Sequence, residues 1–266
     1  MKYKLMAVDI DGTLLNSKHE LTGKTKEAIE KAVKKDIIFT LSTGRPVHGI
    51  KFLSELLNFN KDFPVITYNG AMVVMSKSGK VLYDQKLKEK YVNEIESLCK
   101  ENGTHMIIWS DNNLYMTEEN AYTMDYQKIL NTGYTIVENF REIARGGITK
   151  AIWIDETEKI KKLQGKIQEH FGGTLNCHTS RPYLLEFVDK NASKAVGMEK
   201  IGEYYNIDKS EMIAAGDGYN DISMIKYAGL GVVMGNAPND IKEIADFVTL
   251  TNDEDGLAYV INKFVL

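Results

Sequence analysis

The chain has 266 residues, of which 43% are hydrophobic, so it is long enough for one large or two modest globular domains. Its 33 basic and 37 acidic residues give a net charge of -4, without the basic excess typical of proteins that bind nucleic acid or anionic membranes. No apolar stretch approaches the roughly 18 to 20 residues that cross a bilayer, and the N-terminus lacks the zones of a signal peptide. Cys99 and Cys177 show no disulfide or metal-site spacing. We therefore expect a cytoplasmic protein, monomeric or homodimeric, that acts on a small molecule.

The first third of the sequence alternates predicted strands with predicted helices. An apolar run at 3–10 ends before Gly12 and predicts a buried parallel strand. Thr22 can cap a helix whose apolar residues repeat at helical spacing. The elements predicted after it are a strand at 37–41, a helix at 47–57, a strand at 65–68, and a hairpin at 71–75 and 81–83 that leads out of the sheet. This order favours a parallel sheet with helices on both faces.

The order of elements changes after residue 83 and returns after residue 187. The middle segment predicts an α+β module with helices at 87–100, 120–130 and 156–171 and strands at 106–109, 113–116, 148–154, 174–178 and 183–187. Alternation resumes with helices at 194–205, 221–228 and 239–245 and strands at 212–215 and 231–234. The sequence therefore predicts an α/β core, 1–83 and 188–266, that is split by an inserted α+β domain at 84–187.

Two acids stand where the first predicted strand ends. Because side chains alternate along a strand, Asp9 and Asp11 lean to the same side while Ile10 faces away. Two carboxylates directed at one point repel each other, so this pair indicates a cation site. The competing interpretation is a solvated strand end, because Asp and Gly are also common turn residues.

A second polar segment, LSTGRP, lies between a predicted strand and a predicted helix. Thr43, Gly44 and Arg45 can form an anion site there, with a hydroxyl, free N–H groups and a guanidinium. Simple helix capping by the hydroxyl is the equal alternative. Lys194 begins a later helix, and on its own it would be interpreted as a solvated lysine.

The last polar segment follows the predicted strand at 212–215. Asp217, Asn220 and Asp221 have spacings of three and four residues, so they can share one face of a strand-to-helix turn. Helix capping explains one aspartate at such a turn but not two with an asparagine between them. This segment therefore favours a binding or catalytic site.

These segments are expected to converge, because ligands of an open parallel sheet bind outside the carboxyl ends of its strands. The acids that would supply hard oxygens for a small cation are Asp9, Asp11, Asp217 and Asp221. The residues that would supply donors for an anion beside it are Thr43, Gly44, Lys194 and Asn220. No Cys or His accompanies the acids, which argues against zinc, so Mg²⁺ with a phosphate group fits best.

With these segments assembled, the chain resembles the haloacid dehalogenase (HAD) superfamily, in its Cof-type branch of sugar-phosphate phosphatases. The resemblance rests on DIDGTLL, LSTGRP, ITYNGA, RPYLLEFVDK, AAGDGYNDISMI and YAGLGVVMGNA, in order and spacing over nearly the whole length. It implies a Rossmann-like core with an inserted cap domain of the large C2 type. Substrate specificity is expected to lie in that cap.

The resemblance also implies roles for the acids. Asp9 would be the nucleophile that takes up the phosphoryl group, and Asp11 would protonate the leaving alcohol and later activate water. Mg²⁺ would be bound by Asp9, the backbone carbonyl of Asp11 and Asp217, with Asp221 supporting through water.

Residues that hold the phosphate follow from the same resemblance. Thr43 and Lys194 would hold the transferring group, with Asn220 near it, and Arg45 could reach the substrate. Ala195 follows the lysine where the branch often has glycine, which leaves Lys190 as an alternative to Lys194.

The expected activity is Mg²⁺-dependent hydrolysis of small phosphorylated metabolites, most plausibly sugar phosphates, through an aspartyl-phosphate intermediate. One alternative is a phosphotransferase or phosphomutase, which would pass the phosphoryl group to a sugar. Another is a non-catalytic phosphate-sensing module, although an acid at Asp11 is superfluous for binding alone. A dinucleotide-binding domain is disfavoured because no GxGxxG follows the first strand.

Overall fold

The computed structural model describes residues 2–50, 57 and 61–266 of the chain. These residues form two compact units. The first unit takes in described residues within 1–43, 52–83 and 193–266, and the second takes in those within 44–51 and 84–192. None of the helices in this part of the chain is long and apolar enough to span a bilayer.

An eight-stranded sheet forms the centre of the first unit. Its strands are β1 (Leu5–Val8), β2 (Ile38–Ser42), β3 (Pro64–Thr67), β4 (Met72–Met75), β5 (Val81–Asp84), β12 (Met212–Gly216), β13 (Leu230–Val233) and β14 (Phe247–Val248). They lie in the order β14-β13-β12-β1-β2-β3-β4-β5. The strands from β14 to β3 pair in parallel, whereas β4 runs antiparallel to β3.

Helices pack on this sheet because each presents an apolar stripe. The helices are α1 (Gly23–Lys34), α6 (Lys194–Tyr205), α7 (Ile222–Tyr227), α8 (Asn239–Lys242) and α9 (Gly256–Phe264). Leu5 and Ala7 of β1 lie in one core cluster with Met198 of α6 and Met224 of α7. The intervening strand residues are also fully buried and point to the opposite face. The α1 helix begins after Thr22, whose hydroxyl oxygen accepts a hydrogen bond from the next turn of the helix, as predicted.

Several predicted elements differ from the structure. The hairpin at 71–75 and 81–83 does not lead out of the sheet, because β4 is buried and pairs with β3 along its length. Of the helix predicted at 47–57, Val47–Ile50 form a 3₁₀ turn and Leu57 is helical, whereas 51–56 lie outside the described residues. Strand β14 and helix α9 were not predicted.

The second unit is built on a six-stranded sheet. Its strands are β6 (His105–Ser110), β7 (Asn113–Met116), β8 (Tyr134–Ile136), β9 (Lys150–Ile154), β10 (Leu175–Arg181) and β11 (Leu184–Asp189), in the order β10-β11-β9-β6-β7-β8. Its helices are α2 (Glu89–Glu101), α3 (Ala121–Leu130), α4 (Arg141–Ala144) and α5 (Thr157–His170). Trp153 and Phe187 pack with Ile95 of α2 and Ile167 of α5 in its core. That residues 84–187 form a cap domain with those boundaries stays a prediction.

The register of the parallel strands brings three loops to one edge of the first unit's sheet. Val8 of β1 lies opposite Leu41 of β2 and Ala215 of β12. The residues that follow these positions therefore leave the sheet at the same carboxyl edge. Asp9 is the first residue after Val8, and Asp217 is the second residue after Ala215, so both lie just beyond this edge.

A tight turn follows β3 at the same edge. Tyr68, Asn69 and Gly70 have φ angles of 51°, 57° and 94°, so three consecutive residues adopt the left-handed conformation. A Cβ atom on Gly70 would lie 1.9 Å from the carbonyl oxygen of Ser193. Glycine is therefore required at position 70 for both its backbone angle and its closeness to the start of α6.

We expect Gly70→Ala to destabilise the first unit more than Gly79→Ala. Both glycines have positive φ, but a Cβ at Gly79 would meet nothing within 4 Å. Gly79→Ala should thus cost only the left-handed backbone penalty of about 1 to 2 kcal/mol, and Gly70→Ala should add a steric cost of about 1 to 3 kcal/mol. Urea denaturation measures both free energies of unfolding. Equal losses for the two variants would contradict the close approach to Ser193.

Candidate active site

Three carboxylates meet at the carboxyl edge of the first unit's sheet. Asp9 follows β1, Asp217 follows β12, and Asp221 stands immediately before α7. One oxygen from each lies within 4.8 Å of the others, and all three groups are buried or half-buried. Oxygen ligands at this spacing form a donor set that suits a hard divalent cation.

Lys194 lies among these acids at the first position of α6. Its Nζ atom is 2.6 Å from Oδ1 of Asp9 and 2.5 Å from Oδ1 of Asp221, and its side chain is completely buried. The Ser193 hydroxyl caps α6 by accepting from the Val196 N–H, which fixes where the lysine leaves the backbone. Lys190, the alternative, is exposed and belongs to the second unit.

The acid group carries more negative charge than Lys194 neutralises. Burial raises the pKa of Asp9 well above its ordinary value, and the Asp221 charge raises it further, although Lys194 opposes both effects. Burial and the Asp221 charge likewise raise the pKa of Asp217 to about 6. Burial lowers the pKa of Lys194, but Asp221 and Asp9 outweigh this effect, so its pKa is raised overall. The site thus favours an additional positive charge.

Asp221 shapes the loop that carries Asp217. Its Oδ2 accepts hydrogen bonds from the backbone N–H groups of Asp217 (3.0 Å) and Gly218 (2.9 Å), while Oδ1 faces Lys194. Both carboxylate oxygens therefore have partners within the protein. That Asp221 supports a metal through water stays a prediction.

Asp217 is fixed by neighbours from distant parts of the chain. The Thr13 hydroxyl donates to Oδ1 of Asp217 at 2.8 Å. The side-chain amide of Asn236 donates to the Gly12 carbonyl at 2.9 Å and lies 3.4 Å from Oδ2 of Asp217. Gly12 has a φ of 85°, and a Cβ there would lie 2.3 Å from the same Oδ2. A glycine is needed at position 12 for Asp217 to keep its place.

The Asp11 carboxylate is more accessible than the three acids and is not a member of their group. Its side chain is 45% exposed, and its Oδ1 lies 3.8 Å from Nδ1 of His19. A partly solvated carboxylate of this kind can exchange protons with a reacting group or with water. Metal binding through the Asp11 backbone carbonyl stays a prediction.

Thr43 and Asn220 are linked through one residue of the turn after β3. Buried Thr43 donates its N–H to the Ile66 carbonyl at 2.9 Å, and its own carbonyl accepts from the Asn69 N–H at 3.0 Å. Nδ2 of Asn220 donates to Oδ1 of Asn69 at 3.2 Å. Asn69 therefore contacts both segments that are predicted to face a phosphate group.

Gly44 and Arg45 belong to the second unit. The Gly44 carbonyl accepts from Nζ of Lys150 at 3.2 Å, and this buried lysine pairs with Glu186 at 2.7 Å. Burial raises the pKa of Glu186, but Lys150 and His178 together lower it to about 2. Nη1 of Arg45 lies 3.5 Å from the Gly49 carbonyl. Substrate contacts by Gly44 and Arg45 stay predictions.

Sequence reasoning missed Thr13, Asn69 and Asn236 as parts of the site. Each is a polar residue inside a motif that carries the family resemblance: DIDGTLL, ITYNGA and YAGLGVVMGNA. Their place inside these motifs was the only signal that the sequence offered, because the contacts of these residues join segments that are far apart in the chain.

Comparison with known proteins agrees with the fold. Residues 6–261 match the family of haloacid dehalogenase-like hydrolases. The 5-amino-6-(5-phospho-D-ribitylamino)uracil phosphatase YcsE of Bacillus subtilis is 31% identical over 99% of this chain and 96% of its own. The phosphatase YwpJ of the same organism is 28% identical over 98% of this chain and 100% of its own.

Two solved structures show the same architecture. A haloacid dehalogenase-like hydrolase from Bacteroides thetaiotaomicron is 30% identical, covers 98% of this chain and 99% of its own, and has a TM-score of 0.86. The HAD subclass IIB sugar phosphatase BT4131 is 30% identical over 98% of each chain, with a TM-score of 0.83. The predicted fold class, a Rossmann-like core with an inserted cap domain, is confirmed, as is the predicted enzyme class, a phosphoric monoester hydrolase. The chain belongs to the family of haloacid dehalogenase-like hydrolases.

Proposed function

We propose that this protein is a Mg²⁺-dependent phosphatase that hydrolyses sugar phosphates and related small esters through an aspartyl-phosphate intermediate. The observation that carries the proposal is the group of Asp9, Asp217 and Asp221, two of which, Asp9 and Asp221, contact the buried Lys194. The negative charge of this acid group favours one more cation. The family of haloacid dehalogenase-like hydrolases, to which the chain belongs, indicates hydrolysis as the reaction class. BT4131 is a sugar phosphatase and YcsE acts on a phosphorylated ribityl compound, which supports a polyhydroxylated substrate.

The donor set fits magnesium better than zinc. Asp9 and Asp217 offer carboxylate oxygens, and Mg²⁺ prefers a few such ligands together with waters and a substrate phosphate. We place the ion against Asp9, Asp217 and the Asp11 carbonyl. When bound, Mg²⁺ supplies positive charge that offsets the repulsion between the carboxylates and an incoming phosphate dianion.

Asp9 is the proposed nucleophile. An oxygen of its carboxylate attacks phosphorus, a new oxygen–phosphorus bond forms, and the bond to the leaving alcohol breaks. Lys194 lies 2.6 Å from the same carboxylate, so its ammonium group can hold the transferring phosphoryl group beside the nucleophile. Thr43 and Asn220 are proposed to donate hydrogen bonds to the remaining phosphate oxygens.

Asp11 is the proposed acid and base. It gives a proton to the leaving alcohol and then takes one from the water that attacks the aspartyl phosphate, which releases inorganic phosphate and restores Asp9. General acid and base catalysis of this kind contributes about 10²- to 10⁴-fold. The partial exposure of its carboxylate supports this role, because the group must reach both an alcohol and water.

The first test is Asp9→Asn. We expect phosphate release from a panel of sugar and sugar-alcohol phosphates to fall by at least about 10³-fold, because an amide cannot form the acyl phosphate. Asp36→Asn is the matched control, since Asp36 is an exposed residue between α1 and β2 that pairs with Lys61. Its activity should equal that of the wild type. Retained activity in Asp9→Asn would end the proposed mechanism, and transfer to an added sugar in place of phosphate release would favour a phosphotransferase.

The second test measures magnesium binding without turnover. We expect Mg²⁺ at about one hundred times its dissociation constant to stabilise the wild type by about 2.7 kcal/mol, seen as a rise in Tm of several degrees. Asp217→Asn should lose most of this rise, because it removes one negative ligand while Thr13 can still donate to the amide oxygen. Asp36→Asn should respond like the wild type at matched ionic strength. An unchanged response in Asp217→Asn would exclude this group as the metal site.

A further inference from the structure

The turn at Tyr68–Gly70 contacts three separate segments that carry proposed phosphate ligands. The Asn69 N–H donates to the Thr43 carbonyl, and its side chain accepts from Asn220. Gly70 packs so closely on the start of α6 that an added Cβ would lie 2.7 Å from the backbone nitrogen of Lys194. The three ligands are far apart in the sequence, and this turn is where their segments meet.

The turn keeps an unfavourable backbone to make these contacts. Tyr68 and Asn69 are both buried and both have positive φ, a conformation that disfavours residues with a Cβ. Such residues persist only where the surrounding structure determines them, and they concentrate at functional sites. Glycine at position 69 would relieve the backbone but would provide no acceptor for Asn220. The asparagine side chain is therefore the part of the residue that the site uses.

We propose that Asn69 is a positioning residue whose side chain orients Asn220 at the phosphate-binding face of the site. The Asn220 amide nitrogen carries two hydrogens, and the bond to Asn69 fixes the plane of that amide. The second hydrogen is thereby directed for donation to a phosphate oxygen. The Asn69 N–H also donates to the carbonyl of Thr43, a backbone contact that glycine at position 69 would keep. This inference rests on the proposed function.

Asn69→Gly tests the proposal, and Asn206→Gly is its matched control. Asn206 also has positive φ, but it is exposed and follows the last residue of α6, twelve residues from Lys194 and about 18 Å along the helix. Glycine suits the left-handed backbone at both positions, so both variants are expected to fold.

We expect Asn69→Gly to lower kcat/KM by about 10- to 100-fold, as removal of a residue that orients a ligand usually does. Inorganic phosphate should raise its Tm less than it raises the Tm of the wild type. Asn206→Gly should match the wild type in both measurements. A double-mutant cycle with Asn220→Ala should show non-additive losses, because Asn69 acts through Asn220.

The outcomes separate this inference from the proposed function. If Asn69→Gly keeps the wild-type kcat/KM and the wild-type rise in Tm with inorganic phosphate, the role of Asn69 is overturned and the phosphatase proposal is left intact. Additive losses in the cycle would also overturn it. The rise in Tm with inorganic phosphate is measured without turnover. If phosphate raises the Tm of a wild type that hydrolyses none of the esters, this result counts against the proposed function alone.

Discussion

The candidate site depends on a fold that holds three carboxylates close together although they carry the same charge. Asp9, Asp217 and Asp221 bring oxygens within 4.8 Å of one another, and at that distance two unit charges in a partly buried site repel by roughly 3 to 4 kcal/mol. Lys194 offsets part of this repulsion through its contacts with Asp9 and Asp221. The remaining charge imbalance is what makes the site able to attract a cation and, with it, an anionic ester.

The parallel sheet makes such an arrangement possible. Its strands end at one edge, so residues more than 200 positions apart in the chain are placed side by side by backbone pairing. Thr13 can then donate to Asp217, and Asn236 can reach the loop after β1. The acids are held by hydrogen bonds that a flexible loop could not provide, and their mutual repulsion cannot simply push them apart.

The sequence was sufficient for the architecture and for the main chemical groups. Helix α6 has the bounds that the sequence predicted, and in the structure Ser193 caps it. Asp9, Asp217, Asp221 and Lys194, singled out from strand ends and helix starts, lie in contact or close together. Their roles in catalysis stay predictions.

Other features depend on contacts that no local pattern encodes. The pairing of β4 with β3, in place of a hairpin that leaves the sheet, is decided by long-range register. The pair Asn69-Gly70 signals a turn, but nothing in residue type indicates the left-handed backbone at Tyr68. Gly44 and Arg45 follow Thr43 directly, yet they group with the second unit, which sequence alternation alone does not reveal.

The closeness of Gly12 to Asp217 has a consequence for natural variation. Any side chain at position 12 would occupy the space of the Asp217 carboxylate, although Gly12 itself has no chemical group to contribute. A change of Gly12 to alanine would alter neither the charge of the site nor any of its polar side chains. A protein with this change could fold to normal abundance only if the loop that carries Gly12 or Asp217 moved. The Asp217 carboxylate would then leave the position at which it is proposed to bind the metal.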